Sequence, residues 1–220
     1  MRSSLITPIA VFLLSLVGPA IVLGLPLVLG WSGDTLSSHL YIFGTLGQAL
    51  MDLLAIVMLA RSNGKGLGRK HEHIASLGAG LACAAALAGV KMAASGRLVF
   101  MEGVPAFTQS LALAGPWNLI SATAAVLAYG PGEALYVVYF VTAFDAAWEY
   151  QRRLVSRGVI ITTLLWGLSH GWNVFFLGWR ALPNALLMVG IGLIIGLLFK
   201  RTRSPWGSMV FWSLANGTSA

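Results

Sequence analysis

The segment LLWGLSHGWN, residues 164–173, decides how the rest of the chain is interpreted. It lies within an apolar run over residues 158–178, which is long enough to cross a bilayer as a helix. In a helix Trp166, His170 and Asn173 share one face, because they are spaced at i, i+4 and i+7. A histidine and a carboxamide at membrane depth are costly unless they meet polar partners. The segment therefore predicts a functional site.

The composition is that of a polytopic membrane protein. Hydrophobic residues make up 57% of the 220 residues and charged residues only 10%, with a mean hydropathy of +0.81, whereas a soluble domain carries about 25% charged residues. The net charge of +7 comes largely from Lys and Arg in short connections between apolar runs, as in cytoplasmic loops. We therefore expect a single all-α membrane domain over residues 1–220, with the lipid bilayer as a partner and no nucleic acid.

About eight apolar segments follow one another, and they predict seven to eight transmembrane helices. The segments cover residues 5–30, 39–60, 74–95, 109–129, 133–150, 158–178, 184–200 and 206–216. The stretch Tyr129-Gly130-Pro131-Gly132 predicts an interruption of helical structure just before the helix that starts near Glu133. Gly192 and Gly196 have the spacing that favours close contact between membrane helices.

The basic connections raise a question of topology. Those at residues 61–73, 150–157 and 200–205 all favour the cytoplasmic side. Three apolar segments lie between the first two connections, and an odd number of crossings would place them on opposite sides. Either one segment between residues 74 and 149 is re-entrant or the charge rule fails here, and the sequence leaves both open.

Glu133 and His170 are the main candidates for chemistry. Glu133 falls in a first helical turn, where the helix dipole favours a carboxylate, so it is either a capping charge or a base or metal ligand facing His170. His170 is either a buried hydrogen-bond donor, a metal ligand or proton-transfer group, or the axial ligand of a tetrapyrrole. Asp145 lies roughly 18 Å from Glu133 along its helix, too far for a catalytic pair. Asp52 could pair with Lys91 across helices.

Three segments resemble, in order, the motifs of the CPBP family, the CAAX-protease and bacteriocin-processing type of intramembrane metalloprotease. That family shows Glu-Glu-xxx-Arg, Phe-xxx-His and His-xxx-Asn on successive core helices. The matching segments here are PGEALYVV at residues 131–138, WGLSH at residues 166–170 and WSLAN at residues 212–216. The resemblance covers about residues 120–217 and implies a CPBP-like helical core there, with residues 1–110 forming peripheral spans.

The resemblance also implies that a glutamate and two histidines position a metal ion and the water that attacks a peptide. Of the family's catalytic positions, only Glu133, His170 and Asn216 keep their residue types. Trp212 replaces the second histidine, and Val138 (or Val137, in the alternative register) replaces the arginine. A catalytic zinc normally has three protein ligands, so we expect no zinc and assign no metal ligand.

These departures favour a non-catalytic accessory, assembly or binding subunit of a membrane complex. Trp166, Asn173 and Trp212 would line its pocket, which could hold a lipid, prenyl or pigment group. One alternative is an active metal-dependent intramembrane endopeptidase. Another is a pigment- or haem-associated membrane subunit with His170 as axial ligand. We expect a multi-pass protein of a prokaryotic cytoplasmic membrane.

Overall fold

The computed structural model describes residues 5–30, 33–61, 70–96, 119, 122–123, 126–148 and 154–215. All regular structure within these residues is helical, in agreement with the predicted all-α class. The helices are α1 (Ile6–Val28), α2 (Gly33–Arg61), α3 (Lys70–Ser95), α4 (Glu133–Trp148), α5 (Arg157–Leu177), α6 (Leu182–Thr202) and α7 (Pro205–Ala215). A π-helix, Ala128–Gly132, leads into α4, and a 3-10 helix, Gly178–Ala181, separates α5 from α6.

The predicted interruption of helical structure before Glu133 is wrong, although α4 does begin at that residue. Residues 128–132 stay helical in the wider π form, which accommodates Pro131. The flanking glycines permit close packing. A Cβ on Gly130 would lie 2.7 Å from Ser213 Oγ, and a Cβ on Gly132 would lie 2.7 Å from Asp52 Oδ2. Most of the predicted segment 109–129 lies outside the described residues.

Helix α4 is the central element and packs against α1, α2, α5, α6 and α7. Its sequence places an aromatic residue at every fourth position from Tyr136, so these rings lie one above the other on one face. The ring centroids of Tyr136 and Phe140 are 4.7 Å apart, and those of Phe140 and Phe144 are 6.0 Å apart. The packing of α4 among the other helices also fixes the position of Glu133, which begins the same helix.

The close helix contact predicted for Gly192 and Gly196 is confirmed. A Cβ on Gly192 would lie 2.9 Å from Cδ1 of Trp166, and one on Gly196 would lie 3.3 Å from a methyl carbon of Val159. Both neighbours belong to α5, so the two glycines let α5 and α6 approach closely. The contact also seats the Trp166 ring against α6.

A buried polar network joins α4, α5 and α6 at one end of the bundle. Asp145 accepts hydrogen bonds from Lys200 Nζ at 2.7 Å, Ser156 Oγ at 2.8 Å and the Gly158 amide at 2.9 Å. Ser156 also caps α5, because its hydroxyl accepts the amide hydrogen of Val159. The ends of α4 and α6 therefore meet the beginning of α5.

A second network brings α3 and α7 to this same end. Gly207 donates its amide hydrogen to Ser76 Oγ at 2.8 Å, and His73 Nδ1 lies 2.8 Å from Ser204 Oγ. Because Ser204 lies two residues after the end of α6, the beginnings of α3 and α7 join the end of α6. We call the region formed by the beginnings of α3, α5 and α7 and the ends of α4 and α6 the basic end.

The basic end bears on the side at which two of the basic connections lie. It carries Arg157, Arg201 and Arg203, all exposed, so the basic connections around residues 157 and 200 lie on one side. Helix α3 leaves this end and α4 arrives at it, so the two run in opposite senses with respect to it. The charge rule and the arrangement of these helices are thus compatible.

Two helices in the described part of the chain are long and apolar enough to cross a membrane. They are His71–Ser95, whose most apolar 18-residue window has a mean hydropathy of 1.7, and Gly178–Thr202, whose corresponding value is 2.3. Buried core helices of soluble proteins can meet the same criterion, so these two helices alone are weak support for a membrane protein. The count of seven to eight spans stays a prediction.

Candidate functional site

Glu133 is a buried carboxylate with an indole as hydrogen-bond donor. Its side chain lies in the first turn of α4 and is only 3% exposed. Trp212 of α7 donates its Nε1 hydrogen to Glu133 Oε2 at 2.5 Å. The residue that replaces the family's second histidine thus contacts the residue that matches its glutamate.

Two indole rings connect Glu133 to His170. Trp212 packs edge-on against Trp166 with 6.3 Å between ring centroids, and Trp166 lies 4.8 Å from the His170 ring. Trp166 and Trp212 are 2% and 1% exposed, so both rings are enclosed by protein. The structure therefore brings Glu133, Trp212, Trp166 and His170 into one contiguous cluster.

Hydrogen bonding fixes which nitrogen of His170 carries the proton in the neutral ring. Nδ1 lies 2.9 Å from the backbone oxygen of Trp166, one helical turn earlier. A carbonyl oxygen can only accept, so we assign the hydrogen to Nδ1 and the free lone pair to Nε2. Ser169 Oγ donates to the same carbonyl at 2.8 Å. Nε2 is thus the nitrogen that can bind an electrophile or accept a proton.

Two predicted site residues cannot be placed. Asn216 lies outside the described residues, and so does the side chain of Asn173, although the backbone of Asn173 belongs to α5. Their membership of the pocket stays a prediction.

Asp52 is a site residue that sequence reasoning assigned to a different partner. It is 2% exposed, and its carboxyl group is close enough to that of Glu133 for their charges to interact. Gln48 donates to Asp52 Oδ1 at 3.1 Å. Gln48 and Asp52 stand at i and i+4 in an apolar helix, which indicates a polar face directed at protein. The pattern could reveal that face, but not that it meets α4.

The described residues around Glu133 do not provide the three protein ligands that a catalytic zinc normally has. Oε2 already accepts the hydrogen of Trp212, and an indole has no lone pair to give to a metal. No group of three or more His, Cys, Asp or Glu side chains is arranged to hold a metal ion within the described ranges. The cluster that is present consists of a carboxylate, an imidazole and two indoles, and so combines hydrogen-bonding groups with apolar ring surface.

Comparison with known proteins adds one match. The family model for type II CAAX prenyl endopeptidase Rce1-like proteins matches residues 105–218, slightly more than half of the chain. The matched segment contains all three motif positions and confirms the family predicted from them. No curated protein and no solved structure matches the chain.

Proposed function

This chain belongs to the type II CAAX prenyl endopeptidase Rce1-like family, and we propose that it is a non-catalytic member that acts as a binding or assembly subunit of a membrane complex. The hydrogen bond from Trp212 Nε1 to Glu133 Oε2 is the observation that carries the proposal. One oxygen of the glutamate thereby accepts a hydrogen bond from the residue that stands in place of an imidazole ligand. The family is embedded in membranes, and we propose the same multi-pass arrangement here, in a prokaryotic cytoplasmic membrane.

The position of the family's arginine supports the loss of catalysis. Val138, or Val137 in the alternative register, occupies it, and both side chains are 0% exposed in the apolar core. An arginine there could stabilise negative charge as a peptide carbonyl is attacked. A valine offers no hydrogen-bond donor for that purpose. The chain therefore lacks two polar side chains of the family motifs, the second histidine and the arginine. Buried side chains of another type occupy both positions.

The remaining groups suit binding. Trp166 Nε1 is buried and has no hydrogen-bond partner in the described part of the structure. A buried donor without an acceptor is costly, so a ligand that brings an oxygen to this point would gain the missing bond. The surrounding rings of Tyr136, Trp212 and His170 would pack against an apolar chain. A lipid or prenyl group with a polar head combines these two properties.

A cleavage assay tests the proposal. The purified full chain, in lipid nanodiscs, is incubated with a prenylated CAAX peptide, beside the variant Glu133→Gln. The variant keeps an oxygen that can accept the Trp212 hydrogen but removes the carboxylate. We expect no peptide release that depends on Glu133 and no stoichiometric zinc in metal analysis. Cleavage by the wild type that Glu133→Gln abolishes would overturn the proposal and establish the endopeptidase alternative.

The state of His170 favours one further candidate function, a pigment- or haem-associated subunit. With Nδ1 engaged by the Trp166 carbonyl, Nε2 is oriented by its own helix and retains its lone pair, as an axial ligand requires. Expression with haem or pigment precursors tests this function. A visible absorption band that His170→Ala removes would support it, and the absence of any band in purified wild-type protein would reject it.

A further inference from the structure

Asp52 lies on α2, outside the segment that matches the family, and no family motif assigns it a role. Its side chain is 2% exposed and that of Glu133 is 3% exposed. The two carboxyl groups repel each other when both are charged. Two acidic side chains that approach inside an apolar core point to a positively charged occupant, because buried charges in proteins are normally paired or bind metal ions.

One oxygen of Asp52 has no partner. Gln48 Nε2 donates to Oδ1, whereas Oδ2 is buried without a hydrogen bond from any described residue. A carboxylate oxygen in this state loses its hydration and gains nothing in return. The unsatisfied oxygen is directed at the backbone of Gly132, next to Glu133, since it lies 2.7 Å from the position that a Gly132 Cβ would take.

A backbone oxygen lies beside the same point. The carbonyl oxygen of Leu127 is also 2.7 Å from the missing Cβ of Gly132, so it is at most twice that distance from Asp52 Oδ2. Hard cations bind carboxylate and carbonyl oxygens at roughly 2.3–2.6 Å, so a single ion can bridge two oxygens at such a separation. Leu127 is the N-cap residue of the π-helix, and irregular helical segments of membrane transporters supply coordinating carbonyls in the same way.

We propose that Asp52, Glu133 and the Leu127 carbonyl form a buried binding site for a hard, oxygen-preferring cation over the bare face of Gly132. The ion would balance the charge of the carboxyl pair and join α2 to the beginning of α4. This site differs from the zinc site that the family resemblance implies, because it uses no imidazole and takes one ligand from outside the matched segment.

Thermal unfolding of the purified full chain tests the site. The protein is treated with a chelator, exchanged into choline chloride, and then titrated with sodium, calcium or magnesium chloride at constant ionic strength and pH. We expect a saturable rise in Tm with at least one of the three ions. Asp52→Asn should weaken that ion's apparent affinity by about tenfold or more. Glu72→Gln, the same carboxyl-to-amide change on α3, should leave it unchanged.

Two results would overturn the site. One is a Tm that is the same in all four chlorides, and the other is a cation-dependent rise that persists in Asp52→Asn. If Asp52→Asn does not fold, equilibrium dialysis of the wild type with radioactive sodium or calcium decides the question, because the site requires saturable binding near one ion per chain. Cation binding is independent of peptide cleavage. A Glu133-dependent peptidase activity would therefore refute the proposed function and leave the cation result standing.

Discussion

The hydrogen bond between Trp212 and Glu133 joins two residues that are 79 positions apart in the sequence. Trp212→Phe keeps an aromatic ring but removes the Nε1 hydrogen, so one buried carboxylate oxygen loses its donor. We expect the variant to be destabilised by about 1–3 kcal/mol, measured as a lower Tm in detergent. A replacement that leaves Tm unchanged would show that the hydrogen bond does not hold α7 to α4.

Trp206→Phe is the matched control for that prediction. Trp206 lies on the same helix but is 47% exposed, so loss of its indole hydrogen should change stability by less than about 0.5 kcal/mol. In the double variant with Glu133→Ala, the Trp212→Phe effect should shrink, because the acceptor is gone. Equal effects of Trp212→Phe in both backgrounds would mean that its cost comes from packing alone.

Single residues also show what the sequence could predict about the site. Glu133, Trp166, His170 and Trp212 were all predicted from motif positions, and the structure brings these four into one cluster. The proximity of Asp52 to Glu133 could not be found in this way, because the two residues are related by no fixed spacing and approach each other only when α2 packs on α4. A polar residue in an apolar helix predicts that a partner exists, but the tertiary contacts decide which one.

Helices α3 and α7 approach each other so closely that backbone contacts backbone. A Cβ on Gly80 would collide with the backbone oxygen of Gly207, and one on Gly207 would collide with the backbone oxygen of Ser76. Gly80→Ala must therefore move one helix, and we expect a cost of about 1–3 kcal/mol, measured by thermal unfolding. Gly89→Ala on the same helix has nothing within 4 Å and should be neutral or slightly stabilising, because alanine favours helix. Equal effects of the two substitutions would contradict the packing.

The ion pair at the basic end links α4 and α6. Lys200 Nζ lies 2.7 Å from Asp145 Oδ2, with the two side chains only 10% and 4% exposed. Lys200→Met leaves a buried carboxylate without its cation, and removing one partner of a buried pair costs about 3–5 kcal/mol. Arg201→Met, its exposed neighbour, should cost far less in the same unfolding assay. Adding Asp145→Asn to Lys200→Met should recover part of the loss, and a further loss of similar size would contradict a paired role.

The bounds of the helices were predicted where local chemistry decides them. Glu133 begins α4 as predicted, and α5 ends at Leu177, one residue before the predicted end at Gly178, whose φ is 65°. Helix α7 begins at Pro205, one residue before the predicted segment 206–216, because proline is favoured in a first helical turn. The break predicted at residues 129–132 was wrong, because glycine and proline were taken as helix-ending residues. In the folded chain the same glycines allow a π-helix to lie against Ser213 and Asp52. Composition alone could not distinguish a helix-ending turn from a closely packed π-helix, since glycine is suited to both.

For the whole molecule, the basic end makes a prediction about sidedness that tests the membrane assignment. The test uses four variants that each carry one cysteine in a Cys83→Ala background. Cysteines that replace Leu154 and Arg201 lie at the basic end, whereas those that replace Ser95 and Trp179 lie at the far ends of α3 and α5. All four positions are exposed. Because Lys and Arg favour the cytoplasm, an impermeant maleimide added to intact cells should label only the cysteines at Ser95 and Trp179. The cysteines at Leu154 and Arg201 should react only after the membrane is opened. Labelling of Leu154 and Arg201 from opposite sides would contradict the common end, and labelling of all four in intact cells would contradict a membrane-spanning arrangement.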